Sequence, residues 1–250
     1  MSRSKPLVCI LSGYGINADR ELAYAFRSVG ADAQHEHVQD VFENPALLER
    51  YAILAFPGGF SYGDHLGSGT VLAALFAHGS QAAIDRFVDA GKLVLGICNG
   101  FQVLTKLGAL PNIGGRGRRE ASLVHNTGGT FVDSWVTIAT NTSNRSPWLV
   151  GLGDLDVPIR HGEGRFVAPG LIDRIVEANQ VAFTYTGGNP NGSDHDIAGI
   201  TDPTGRVLGL MPHPEAFLYR ENHPRWSREN GGAENALEIF RNAVRYSAVI

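Results

Sequence analysis

The apolar run Leu93-Val-Leu-Gly-Ile97 breaks at once into Cys98-Asn-Gly100, and helical spacing follows at Phe101, Val103, Leu104 and Leu107. A buried strand that turns straight into a helix belongs in a parallel sheet, because the chain reaches the next parallel strand only by a crossover. Gly96 and Gly100 stand two residues to either side of Cys98. That spacing predicts a sharp elbow, since a turn this tight brings neighbouring backbone too close for a Cβ. The elbow lifts the thiol out of the sheet, and the free N–H groups that begin the next helix face any oxyanion forming there. The competing reading is a small apolar residue in the core, as most free cysteines are.

The same alternation runs through the first half. Leu7–Leu11 reads as a strand, Asn17 as the cap of a helix carrying Leu22, Ala23, Ala25 and Phe26, and strands follow near Ala33–Val38 and at Ile53–Phe56. Ser68–Ala90 has helical spacing up to the strand that feeds Cys98. The expected architecture is α/β, an open, mostly parallel, flavodoxin-like sheet with helices on both faces. Ligands bind such sheets beyond the carboxyl ends of the strands, where Cys98 and the Pro57–Gly69 loop lie. In the second half, Phe131–Thr140, Val181–Thr186, Ile197–Thr201 and Val207–Met211 read as strands. They are joined by turns such as Asn189-Pro-Asn-Gly192 and Asp202-Pro-Thr-Gly205, without comparable helices between them. This predicts an antiparallel extension of the sheet. A helix over about Ala233–Tyr246 closes the chain after the polar loop Arg220–Gly232. At 250 residues the whole chain, 1–250, is expected to form one domain.

A formal charge of −4 and the lack of a basic stripe argue against a nucleic-acid surface. No window approaches the roughly 18 apolar residues of a membrane span, and Ser12 and Gly13 interrupt the first apolar run too early for a signal peptide. Two cysteines, Cys9 and Cys98, each in or beside an apolar strand, make no disulfide framework and suit a reducing, cytoplasmic compartment.

A cysteine at neutral pH is only a few per cent thiolate and needs an imidazole to hold the charge and later deliver a proton. Nine histidines are available, and one stands at a strand end with a carboxylate close behind it, in Leu210-Met-Pro-His-Pro-Glu215. A residue before proline is pushed to extended geometry, so His213 and Glu215 are expected to project together as base and orienter. At Phe56-Pro-Gly-Gly-Phe-Ser-Tyr-Gly-Asp64 a strand enters a glycine-rich loop. Its backbone is expected to supply a second oxyanion donor beside the N–H of Asn99.

Two weaker patterns compete. Gly13-Tyr-Gly15-Ile-Asn-Ala18, with Asp32 downstream, loosely fits a dinucleotide fingerprint, but it would leave Cys98 and His213 idle. His35 and His37 share a strand face without a cysteine or carboxylate at ligand spacing, so no metal site is expected.

Gly96-Ile-Cys-Asn-Gly-Phe-Gln102 and Pro212-His-Pro-Glu215 together resemble the signature of the class I (triad) glutamine amidotransferases. Within that class, four stretches resemble the glutaminase subunits of phosphoribosylformylglycinamidine synthase. They are Gly58-Gly-Phe-Ser-Tyr-Gly-Asp64, Leu123-Val-His-Asn126, Pro158-Ile-Arg-His-Gly-Glu-Gly-Arg-Phe166 and Asn189-Pro-Asn-Gly-Ser193. The resemblance runs from about Leu7 to Tyr246. It implies Cys98 as nucleophile, His213 as acid and base, and Glu215 as orienter. Gly59 and Asn99 would form the oxyanion hole, Gln102 and Asn126 would contact glutamine, and Glu163 and Arg165 would lie at a docking surface or channel mouth. No cofactor is implied for this chain. ATP and magnesium belong to a partner synthetase subunit of the PurL type, which receives the ammonia through a channel, and a third small subunit of the PurS type is left open. The chain departs from the family pattern at His65-Leu-Gly67 and Ala216-Phe217, where arginines are common, and at the polar segment 221–232, which reads as an insertion. A cysteine peptidase or deglycase on the same fold, or a non-catalytic scaffold subunit, are the alternatives.

Overall fold

The computed structural model describes residues 5–228 and 233–249, the side chains of 233 and 234 excepted; residues 229–232 of the polar loop lie outside it. In chain order the elements are β1 (Leu7–Ser12), α1 (Asp19–Ser28), β2 (Asp32–His37), α2 (Val38–Glu43), β3 (Ile53–Phe56), α3 (Thr70–Gly79), α4 (Gln81–Asp89), β4 (Leu93–Ile97) and α5 (Asn99–Lys106). Then follow β5 (Ser122–Val124), β6 (Val132–Thr140), β7 (Leu155–His161), β8 (Arg165–Val167), α6 (Ile172–Glu177), β9 (Val181–Thr186), β10 (Ile197–Thr201), β11 (Val207–Leu210) and α7 (Ala233–Ser247).

Nine strands make one sheet in the order β2-β1-β3-β4-β11-β10-β9-β6-β7, and β5 pairs separately with β8. The expected α/β fold is therefore present. β2, β1, β3, β4 and β11 are mutually parallel, whereas β11/β10, β10/β9, β9/β6 and β6/β7 are antiparallel. The parallel strands β3, β4 and β11 are buried along their whole length, which suits uninterrupted runs such as Ile-Leu-Ala-Phe and Val-Leu-Gly-Leu covered by helices. A single hydrophobic cluster joins residues from both halves of the chain.

Several expectations are corrected. Val207–Leu210 belongs to the parallel part of the sheet and not to the antiparallel extension. The Asp202–Gly205 turn makes β10 and β11 a hairpin, and the hairpin sets one strand on each side of the boundary. The helical stretch 68–90 is two helices, broken where Ser80 (φ −136°) turns its hydroxyl toward the Val41 carbonyl. Asn17 does not cap α1. Ala18 holds the cap position without a side-chain bond, and the N–H groups of Asn17 and Ala18 go to the Gly58 carbonyl at 3.3 and 3.2 Å. The sequence pattern does not announce α2, β5, β7, β8 or α6, and Val38 begins α2 instead of ending a strand. Pro158 interrupts the strand pattern of β7, yet β7 pairs only with β6 and forms the sheet edge, where a proline lacking an N–H is tolerated. His35 is exposed beside Asp19 at 3.5 Å, and His37 caps α2 by accepting from the Gln39 N–H at 3.2 Å. Among the described residues no cluster of His, Cys, Asp and Glu could hold a metal ion, and no helix is long and apolar enough to cross a membrane.

Candidate active site

Cys98 sits at the junction of β4 and α5 with φ 50° and ψ −106°, a backbone state that non-glycine residues avoid unless their surroundings impose it. Its N–H is held by the Leu210 carbonyl at 2.8 Å, and its carbonyl by the Gln102 N–H at 3.0 Å, so both neighbouring elements fix the strained residue. Gly100 explains how the turn closes: a Cβ there would lie 1.9 Å from the Phe56 carbonyl oxygen. At Gly96 a Cβ would meet Leu104 at 2.6 Å and the Gly100 carbonyl at 2.8 Å. The glycine spacing thus reports close backbone packing, as the sequence argument supposed. Cys98 is 6% exposed, and its thiol turns toward the Arg160 carbonyl at 3.9 Å.

His213 follows the end of β11, and its N–H donates to the Pro158 carbonyl at 2.8 Å, which ties it to the edge strand β7. Its Nδ1 is 2.6 Å from Oε1 of Glu215, and both side chains are buried. The pair projects together for a reason other than the extended backbone expected: residues 214–216 form a 3₁₀ turn that begins at Pro214 and folds the carboxylate back onto the ring. Nε2 of His213 has no hydrogen-bond partner among the described residues and lies in the electrostatic reach of Cys98. Burial opposes a charged imidazole here, but the charges of Glu215 and Cys98 outweigh it and raise the His213 pKa. The loop after β3 lies flat on the imidazole, because a Cβ at Gly58 would come within 2.8 Å of its Cε1.

Gly59, at φ +148°, could not be another residue without a Cβ 2.6 Å from the Gly15 carbonyl oxygen and 2.9 Å from the Asn17 nitrogen. This contact also accounts for the glycine-rich turn at 13–18. Phe60 N–H donates to the Gly15 carbonyl at 2.8 Å and Tyr62 N–H to the Tyr14 carbonyl at 2.7 Å, so that turn holds the loop and not a dinucleotide. The Gly59 N–H has no acceptor among the described residues. The N–H of Asn99, first residue of α5, is one of the four donors that a helix start leaves unpaired. Two backbone donors of this kind can receive an oxyanion.

The Asn99 side chain ties loop to elbow. Its Oδ1 accepts from the Ser61 N–H at 3.2 Å, and its Nδ2 donates to Gln102 Oε1 at 3.0 Å and Asp64 Oδ1 at 3.3 Å. Gln102 passes the tie on, with Nε2 donating to the Glu163 carbonyl at 2.6 Å, while the Glu163 carboxylate accepts from the Ser68 N–H at 3.1 Å. Gln102 retains one amide hydrogen and one lone pair. Asn126 retains none: Nδ2 donates to the carbonyls of Thr130 and His161, and Oδ1 is shared by His161 Nδ1 and the Gly164 N–H. Asn126 therefore braces the 161–164 turn. Arg165 donates through Nε to the Gly192 carbonyl at 3.0 Å.

Two residues of the Pro158–Phe166 stretch near the site, Arg160 and His161, have no role assigned by sequence. Arg160 pairs with Glu21 at 2.5 Å while its carbonyl faces Cys98, and His161, next in the chain, is buried. The signal was the alternation Leu155, Val157, Ile159, His161, which puts His161 on the inward face of β7.

A buried Cys, His and Glu set at the carboxyl ends of a doubly covered parallel sheet has the arrangement of a triad amidotransferase. The chain belongs to the CobB/CobQ-like glutamine amidotransferase domain family, whose match covers residues 5–247, and within it to the PurQ family. It is 40% identical to the phosphoribosylformylglycinamidine synthase subunit PurQ of Methanococcus maripaludis, over 98% of this chain and 99% of that one. It is 39% identical to the PurQ subunit of Dehalococcoides mccartyi, over 99% of both chains. Among solved structures, PurLQS from Thermotoga maritima contains a chain that superposes with a TM-score of 0.78 at 31% identity, covering 97% of this chain and 99% of that chain.

Proposed function

We propose that this chain is the glutaminase subunit of a phosphoribosylformylglycinamidine synthase and frees ammonia from glutamine for purine biosynthesis. The observation that carries the reading is the His213–Glu215 pair at 2.6 Å, its Nε2 open beside the elbow cysteine. Cys98 Sγ attacks the side-chain amide carbon, and its proton passes to His213 Nε2. The N–H groups of Gly59 and Asn99 take the oxyanion. His213 returns the proton to the departing nitrogen, the C–N bond breaks, and a thioester remains on Cys98. Water, deprotonated by the same imidazole, attacks the thioester, and glutamate leaves with the thiol restored. Glu215 holds Nδ1–H throughout and keeps Nε2 facing the thiol. The free valences of Gln102 are available to glutamine.

The whole chain, 1–250, acts as one glutaminase domain. Ammonia passes to a synthetase of the PurL type, which uses ATP and magnesium to convert formylglycinamide ribonucleotide to the amidine; the Thermotoga maritima PurLQS structure supports such a partner. The 161–166 turn, with Glu163 and Arg165, faces that partner, and a PurS-type third subunit completes the complex. Two unpaired cysteines fit a cytoplasmic setting. In the complex, Cys98→Ala should abolish glutamate release and glutamine-dependent synthesis while added ammonium still supports synthesis. Continued glutamine hydrolysis by that variant would show that the nucleophile lies elsewhere.

A further inference from the structure

His161 is 2% exposed, and its Nε2 has no partner among the described residues. Its tautomer follows from its neighbours. Asn126 Nδ2 donates to two carbonyls, so the atom facing His161 Nδ1 at 3.2 Å is the amide oxygen, and it already accepts from the Gly164 N–H. An oxygen only accepts, so Nδ1 must carry the hydrogen, and Nε2 is left as a bare lone pair. Burial, reinforced by the nearby His213, pushes the His161 pKa down to about 4, so the ring is neutral at working pH. A buried acceptor without a protein donor is costly, so the position suits a small N–H or O–H molecule.

The position narrows the choice. The backbone immediately before His161 touches the nucleophile, through the Arg160 carbonyl 3.9 Å from Cys98 Sγ. The turn immediately after it covers the ring, since a Cβ at Gly164 would lie 2.2 Å from His161 Cε1. Gly162, Glu163 and Arg165 of that turn are partly exposed. His161 thus lies under the surface turn and within electrostatic reach of His213.

We infer that Nε2 of His161 is the acceptor for one N–H of the ammonia released at Cys98, making it a positioning residue at the start of the ammonia path. The inference rests on the glutaminase reading above. No bond is made or broken: His213 delivers the proton that completes ammonia, and the neutral His161 ring accepts a hydrogen bond without taking up charge. An imidazole that stayed neutral lets ammonia move on as the uncharged molecule, whereas a carboxylate in the same place would trap ammonium.

The test compares the parent and His161→Asn subunits in the complete synthetase complex, supplied with glutamine, ATP and the formylglycinamide ribonucleotide acceptor. Asn keeps a δ donor toward Asn126 but removes the ε acceptor. Glutamate release should stay within about threefold of the parent, while amidine formed per glutamate falls by roughly three- to tenfold, the scale of one hydrogen bond. His161→Gln, which restores an acceptor at the ε position, should recover part of the coupling. Labelling of Cys98 by a glutamine-mimicking electrophile at the parent rate shows that each variant is folded at its centre. An unchanged amidine-to-glutamate ratio in His161→Asn overturns the proposal, as does a raised KM for glutamine with coupling intact, which would assign the acceptor to the substrate amide instead. Failure of the parent complex to hydrolyse glutamine would instead remove the glutaminase reading itself.

Discussion

Gly100→Ala tests the elbow most directly. The added methyl would lie 1.9 Å from the Phe56 carbonyl oxygen, 2.7 Å from its carbon and 2.8 Å from its Cβ, while Cβ contacts under 3.0 Å are essentially never observed. Bringing 1.9 Å out to 3.0 Å takes about 1.1 Å, and the obstacle is the backbone of a fully buried strand. Either β3 or the start of α5 must move. Overpacking of this kind costs typically 1–3 kcal/mol, and a strand that cannot yield puts the variant at the upper end. For a chain of this length that lowers Tm by roughly 6–12 °C. Movement of α5 also carries the Asn99 N–H away from the thiol, and a misplacement of about 1 Å costs on the order of 10²-fold in rate. The assay pairs thermal unfolding with glutaminase kcat in the complex. Gly79→Ala is the control: it ends α3 with negative φ and nothing within 4 Å of an added Cβ, so it should be neutral or stabilising by up to about 1 kcal/mol. A Gly100→Ala protein with parental Tm and kcat would refute the packing argument.

Glu215→Gln should leave the fold intact and lower glutaminase kcat by about 10²–10⁴ with little change in KM, because the imidazole loses the group that holds its tautomer; a kcat within a few fold would remove Glu215 from the mechanism. A glutamine-mimicking electrophile should alkylate Cys98 and spare Cys9, which is fully buried in β1 and whose thiol pKa is pushed up chiefly by burial. Comparable labelling of both in a peptide map would mean that β1 is not closed to solvent. His161 adds a pH dependence: its pKa is depressed to about 4, so its neutral form contributes stability above the unfolded value near 6.5, and that contribution is lost as pH falls toward 4. The loss amounts to about 3 kcal/mol. Urea unfolding at pH 7 and pH 4.5 should show a steeper acid loss in the parent than in His161→Asn, and equal losses would contradict a buried neutral ring.

The short-range features were legible because their causes are local. Apolar runs without alternation mark strands covered on both faces, and glycines two residues either side of Cys98 mark a turn with no room for a Cβ. His213 could be singled out because Glu215 stands so close in the chain, although a 3₁₀ turn and not extended backbone makes them meet. What the chain order could not reveal was partnership across the sheet. Pro158 hid β7, yet this edge strand brings the Arg160 carbonyl to the thiol and buries His161 beside it in the chain, 62 and 63 residues from Cys98 in sequence. Only the tertiary structure shows that Asn126 spends its hydrogen-bonding capacity on the 161–164 turn and the Thr130 carbonyl, or that Gly13–Ala18 serves as a seat for the oxyanion loop. A motif specifies which groups are available. Whether a group is free for chemistry depends on which distant backbone atoms have already claimed it, and that is decided when the strands pair.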